Sequence, residues 1–228
     1  MAFCGLDLPG GLDRPGMIFC VGVNYPARNE EYKDGKELPP FPSLFPRSPF
    51  SFVGHEEPII LVPESEQFDY EGEIALIIGK GGRRIPRDQA REHIHGLTLC
   101  NEGSYRDWIR HAKFNVTQGK NWDRSGSLGP SVVPIDEIED LNNLDLETWV
   151  NGELRQKDNT GRMIFPIDYI INYISTFTTL TPGDIIVTGT PVGAGARFDP
   201  PKWLKEGDEV IVKCPQIGEL RNVVKAEG

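Results

Sequence analysis

The chain has 228 residues, 38% of them hydrophobic, which is enough for one sizeable core and, by default, one domain. Its formal charge of −10 and isoelectric point near 4.9 argue against nucleic acid or an anionic membrane as the partner. Cys4, Cys20, Cys100 and Cys214 lack the paired spacing of a zinc site or a disulfide framework and read as reduced packing thiols.

In chain order, the first 22 residues show no basic segment followed by a long apolar stretch, and no run approaches the length of a membrane span. A cytoplasmic protein is expected, with residues 1–16 as a short lead-in to a single domain over 1–228. Gly and Pro, at 25 and 19 residues, cut the sequence into short pieces, the texture of a strand-rich fold. Strands are predicted over 17–23, 58–62, 73–79, 95–102, 131–135, 146–154, 184–190 and 209–214. Between them, the Pro-Asp start of 86–94 predicts a helix, and Ile167, Ile170, Ile171 and Ile174 at helical spacing predict another over 165–177. Asn151-Gly152 signals a hairpin, since both central positions of a type I′ turn require positive φ. The proline-rich span 36–54 reads as a loop lying over a surface. The fold class is mixed α+β, dominated by strands.

Glu71 and Glu73 are separated by one glycine and followed by the apolar run Ile74, Ala75, Leu76, Ile77, Ile78. A strand alternates faces with period two, so both carboxylates project the same way and Gly72 the other. The run reads as a strand buried on both faces. Two like charges entering a buried strand need a partner, and a divalent cation held by oxygen ligands supplies one, Mg²⁺ or Mn²⁺ suiting the donors better than zinc.

Residues 100–130 gather more chemistry. Glu102, at the end of the next strand, could complete a ligand set begun by Glu71 and Glu73, and Lys120 could face the carboxylate of a bound acid. Arg106 and Asp107 read as members of ion pairs on a helix or within the fold, and Asp123 as a turn former. Residues 181–195, "TPGDIIVTGTPVGAG", present hydroxyls and backbone N–H groups suited to a small anion, without the Lys and Ser/Thr of a P-loop.

Taken in order, "CVGVNY", "FVGHEEPI", "DYEGEIALIIG", "GLTLCNEGSYRDW", "GKNWDRSGSLGP", "VNGELRQ", "MIFPIDYIINYIS", "GDIIVTGTPVGAG" and "LKEGDEVIV" with "IGELRN" resemble the fumarylacetoacetate hydrolase family over essentially the whole chain. The resemblance implies a mixed β-roll that binds Mg²⁺, Mn²⁺ or Ca²⁺ through an E-x-E pair and an acid one strand later. Glu71 and Glu73 match the pair, and Glu102 stands where the family usually has Asp. Lys120 matches the active-site lysine and Thr190 the residue that binds substrate carboxylate. The implied substrate is a small 2-oxo acid, and the implied assembly a homodimer, for which Phe41, Phe45, Phe50 and Phe52 of the proline-rich span offer apolar surface.

In this family the cation polarises a 2-oxo group and stabilises an enolate, which isomerisation, decarboxylation, hydration and carbon–carbon hydrolysis all share. Family hydrolases activate water with a His and a Glu after "CVGxNY"; here Arg28 stands at the His position and Glu31 at the Glu. Ile109 likewise replaces a Gln of acylpyruvate-cleaving members. A guanidinium is no base near neutral pH but pairs well with a second carboxylate. The expectation is therefore isomerisation or decarboxylation of a dicarboxylic 2-oxo or 2-hydroxydienoic acid from aromatic catabolism, with Lys120, Glu31 and Arg28 as the acting groups and Thr190, Arg28 and Lys120 as the substrate contacts. One alternative is an acylpyruvate hydrolase with its base moved to His55 or His111. The other is an inactive relative that binds a 2-oxo acid without turnover.

Overall fold

An apolar run such as Ile74–Ile78 needs cover on both faces, and the fold is arranged to supply it. A computed structural model describes residues 2–31, 37–111 and 116–228; Met1, Lys36 of the proline-rich span and residues 112–115 of the second chemical cluster lie outside the described residues. The strands are β1 (Ile18–Val21), β2 (Leu44–Pro46), β3 (Phe52–Val53), β4 (Ile59–Leu61), β5 (Phe68–Asp69), β6 (Gly72–Ile78) and β7 (Ile94–Asn101). They continue with β8 (Ser104–Tyr105), β9 (Gly126–Pro134), β10 (Asp145–Val150), β11 (Glu153–Asn159), β12 (Ile185–Val187), β13 (Glu209–Cys214) and β14 (Gly218–Ala226). The α-helices are α1 (Pro26–Glu30), α2 (Arg106–Ile109), α3 (Thr117–Lys120) and α4 (Ile167–Phe177). The expected helix over 86–94 is a 3₁₀ segment, Arg87–His93. No helix among the described residues is long and apolar enough to cross a membrane.

Among the described residues, a curled sheet runs in the order β2-β1-β12-β6-β7-β9-β3, a second in the order β11-β10-β13-β14-β4, and β5 pairs with β8. The long central strand β6 is antiparallel to both β12 and β7. Its period-two alternation divides the core. Ile74, Leu76 and Ile78 share one cluster with Ile170, Ile171 and Ile174 of α4 and with Leu146, Val212 and Leu220 of the second sheet. Ala75 and Ile77 face the other way, against Cys20, Ile185, Val187, Cys100 and Leu128, where Phe3, Leu6 and Leu8 close the bottom. The N-terminal lead-in is thus part of the core, each fully buried side chain of this size contributing about 1.5–3 kcal/mol relative to exposure.

The strand expected over 146–154 resolves into two, β10 and β11, turning at Asn151-Gly152. Both turn residues have positive φ, 49° and 76°, as the type I′ signal requires.

Candidate active site

Glu71 precedes β6, Glu73 lies in it, and the glycine between them faces the second sheet. A Cβ on Gly72 would stand 1.9 Å from Thr148 Oγ1 of β10, so only glycine lets β6 and β10 approach this closely. That approach turns both flanking carboxylates toward a cavity of about 610 Å³ on the opposite side. Glu102 joins them there, its backbone N–H donating to Glu71 O at 2.7 Å across the β6–β7 ladder. Lys120, the last residue of α3, reaches the same cavity with its side chain buried.

The three acids are held differently. Glu71 is a hub: Oε1 accepts from Arg28 Nη2 at 3.1 Å and Arg106 Nη2 at 2.7 Å, and Oε2 from Ser104 Oγ at 2.8 Å and from Lys120 Nζ. Burial alone would raise its pKa, but Arg106, Lys120 and Arg28 together hold it well below the usual carboxylate range. Among the described residues, Glu73 accepts from the Gly189 N–H alone, on Oε2 at 2.5 Å. Burial, then the charges of Glu102 and Glu71, push its carboxyl well up. Glu102 Oε1 accepts from Arg47 Nη1 at 2.8 Å and Oε2 from Lys120 Nζ at 2.5 Å. Burial works against the Lys120 ammonium, yet Glu102 and Glu71 more than offset it and raise its pKa.

Arg28 is buried and lines the cavity, with Nη1 donating to Glu31 Oε2 at 2.5 Å. Glu31 sits behind it, its other oxygen accepting from Gly193 N at 2.8 Å. Arg106 is an internal ion-pair residue, as expected, donating to Asp69 Oδ2 at 2.8 Å as well as to Glu71. Asp107 accepts from Ser65 Oγ instead. The Thr190 hydroxyl lines the cavity, donates to Gly72 O at 3.0 Å and accepts from Gln156 Nε2 at 2.8 Å. Ile109 gives the wall an apolar stretch with Val21, Val23, Leu44, Phe45 and Val116. None of the four histidines lines the cavity: His55 Nδ1 accepts from Arg221 N, and the His111 ring lies 4.5 Å from Trp108.

Arg47, Asp69, Ser104 and Gln156 complete the site, and no local pattern announces them. Gln156 donates to Thr190 Oγ1 and Pro191 O while accepting from Gly72 N, which binds the threonine loop to β6. Asp69 accepts from Gly195 N and Ala196 N, so it ties the same loop to Arg106.

Buried hard oxygens with one carboxylate left almost without a counter-charge suit a small divalent cation. Glu71, Glu73 and Glu102 would hold it. Among the described residues no three metal-ligating side chains converge on a point as they stand, because Lys120 Nζ lies between Glu71 and Glu102. A cation at these oxygens requires that ammonium to turn aside into the cavity.

Residues 17–225 match the family model described as "Fumarylacetoacetate (FAA) hydrolase C-terminal". The chain is 40% identical over 213 residues to the mitochondrial oxaloacetate tautomerase FAHD2B of Bos taurus, covering 92% of this chain and 67% of that one. It superposes on the crystal structure of the 2-hydroxyhepta-2,4-diene-1,7-dioate isomerase from Mycobacterium marinum with a TM-score of 0.81 at 33% identity, covering 94% of this chain and 76% of the other. For the fumarylacetoacetate hydrolase of Exiguobacterium antarcticum the TM-score is 0.86 at 36% identity, with 95% and 77% covered. With its strand-dominated fold and curled sheets shared with these structures, the chain belongs to the fumarylacetoacetate hydrolase family of enzymes.

Proposed function

We propose that this protein is a divalent-cation-dependent enzyme that interconverts tautomers or isomers of a dicarboxylic 2-oxo acid, oxaloacetate and the longer 2-hydroxydienoic diacids of aromatic catabolism being the candidate substrates. The observation that carries the choice is the Arg28–Glu31 ion pair, at 2.5 Å, where family hydrolases hold a His-Glu pair. With no histidine on the cavity wall, the water-activating base of carbon–carbon hydrolysis has no obvious holder. Proton movement between carbon and oxygen needs less, and Lys120 is the buried proton carrier facing the cavity.

Charge supports a diacid. Arg28, Arg106, Arg110, Lys120 and Arg197 line the cavity with Glu71, Glu73 and Glu102, and Glu31 and Asp69 pair with Arg28 and Arg106, so the wall offers cations to a second carboxylate without a large net charge. A bound Mg²⁺, Mn²⁺ or Ca²⁺ would supply polarisation of the 2-oxo group and stabilisation of negative charge on its oxygen. Lys120 and the Thr190 loop would hold the 2-oxo acid end, Arg28 would meet the second carboxylate, and the apolar wall around Ile109 would exclude water.

The test follows the ultraviolet absorbance of enol oxaloacetate and of a 2-hydroxydienoic diacid, with Mg²⁺ or Mn²⁺ and after chelator treatment, beside pyruvate release from an acylpyruvate. Cation-dependent loss of absorbance with slow pyruvate release is expected, and Arg28→Ala should cost the diacid about tenfold to a hundredfold in kcat/KM. Rapid pyruvate release that survives Arg28→Ala would establish the hydrolase instead. Cation-dependent binding of the diacid with no turnover of any of these acids would establish the inactive binder.

A further inference from the structure

Glu102 is one methylene longer than the aspartate its family usually places there. The extra torsion must be fixed, and a free glutamate can offer a cation one oxygen or both. Arg47, the residue after β2, removes that freedom. Its side chain has no solvent exposure, and Nη1 donates to Glu102 Oε1 at 2.8 Å and to Gly103 O at 3.0 Å. Nε donates to Ser51 Oγ at 3.1 Å, while Nη2 donates to Ser51 O at 3.3 Å and Ser125 Oγ at 2.8 Å. A guanidinium has five N–H groups, and these five bonds engage all of them. Its Cζ also lies 4.3 Å over the Phe52 ring, which sets the plane of the fork. Arg47 therefore has nothing left to offer a substrate; what it controls is Glu102. The oxygen it leaves is Oε2, the one that meets Lys120.

The geometry points to Arg47 as the positioning residue that makes Glu102 a one-oxygen ligand and thereby sets which divalent cation the site prefers. The inference rests on Glu71, Glu73 and Glu102 being the ligands. Mg²⁺ demands near-octahedral geometry with few protein donors, whereas the larger Ca²⁺ takes six to eight oxygens and readily accepts both of one carboxylate. With Oε1 held by Arg47 Nη1 and Oε2 the oxygen that meets Lys120, the fork favours one-oxygen over two-oxygen coordination, which penalises Ca²⁺ in particular. Lysine could not do the same work, since a single ammonium on a flexible stem cannot span the acceptors that fix the planar fork.

The experiment is calorimetric titration of Mg²⁺, Mn²⁺ and Ca²⁺ into chelator-treated wild type, Arg47→Lys, Glu102→Asp and the double variant, with a Tm for each. Wild type should bind Mg²⁺ and Mn²⁺ in preference to Ca²⁺. Arg47→Lys should weaken Mg²⁺ and Mn²⁺ by about tenfold or more, the usual effect of losing a partner behind a metal ligand, and Ca²⁺ much less, so the preference collapses. In the Glu102→Asp background, where the shorter carboxylate does not reach Arg47, the same change should move the preference by less than about twofold. A purely structural Arg47 would lower Tm in both backgrounds with the Mg²⁺ to Ca²⁺ ratio unaltered, which overturns the inference. If Arg47→Lys does not fold, Ser125→Ala loosens Arg47 from behind, and a ratio unchanged there overturns it equally. Wild type that binds none of the three cations overturns the ligand assignment itself, an outcome distinct from an unaltered ratio.

Discussion

At the scale of single residues, Glu71 and Glu73 sit two positions apart on one strand and respond oppositely to the same burial. Three cations hold Glu71 ionised, so Glu71→Gln takes the carboxylate they share and leaves Arg28 with Glu31, Arg106 with Asp69 and Lys120 with Glu102; the cost is about 3–5 kcal/mol and a Tm lower by roughly 10 °C. Glu73 is repelled by its neighbours and bonded to a single backbone N–H, so Glu73→Gln should keep the wild-type Tm or raise it. Both variants should lose Mn²⁺ binding in a titration. A Tm loss in Glu73→Gln equal to that in Glu71→Gln would show that the two carboxylates are not held in these different ways. The pair is legible in the sequence because strand periodicity puts both carboxylates on a common face, and Glu102 through its place at the end of the next strand and the family resemblance. Arg47 and Gln156 are not, because each meets its partner across a separation of 55 or 34 residues that no local pattern encodes. Arg106 was legible as an ion-pair residue but not its partners, Asp69 and Glu71, which lie on another strand region.

At the scale of elements, the glycine between the two glutamates is where the sheets are set. A methyl on Gly72 would meet Thr148 Oγ1 at 1.9 Å and Val212 Cγ1 at 3.3 Å, both on the second sheet. Gly72→Ala should therefore push β6 from β10, at about 1–3 kcal/mol and a Tm lower by roughly 2–12 °C. The Thr148 hydroxyl is buried and has no hydrogen-bond partner among the described residues, so Thr148→Ala costs little and makes room. Thermal denaturation of the double variant Gly72→Ala/Thr148→Ala should recover most of the loss, and equal Tm values for the single and double variants would refute the steric account. Strands with apolar runs and the Asn151-Gly152 hairpin were legible, since burial pattern and turn chemistry are local. The strand β14 was not. Its inward positions Leu220, Asn222 and Val224 include a polar residue and its outward face includes the exposed Val223, so the apolar alternation is broken in the sequence and its place is decided by pairing with β13 and β4. The short helix α1, which carries Arg28, is held by the tertiary bond from Arg28 to Glu71 and the local pair with Glu31 rather than by helical periodicity.

At the scale of the whole molecule, the proline-rich span divides its four phenylalanines between two tasks. Phe45 lines the cavity with Lys120 Nζ 5.3 Å from its ring, and the buried Phe52 supports Arg47, so these two serve the site. Phe41 and Phe50 remain 60% and 57% exposed. Phe41 stacks on Tyr173 of α4, which in turn meets Phe177, itself 55% exposed, so the apolar surface continues from the loop onto the helix. Single exposed apolar residues are ordinary, but connected aromatic surface of this kind is costly to leave in water, at about 25 cal/mol for each Å². A chain with a net charge of −10 can bring two copies together only where apolar gain exceeds repulsion, and raised salt weakens that repulsion while leaving the apolar term intact. The chain is therefore expected to pair with a second copy through this surface. Light scattering at micromolar concentration should give about twice the 25.5 kDa chain mass, more fully at higher salt, and Phe41→Asp/Phe177→Asp should return the mass of one chain with the cation affinity of the cavity unchanged. A wild-type protein that scatters as one chain at every salt concentration would rule the pairing out.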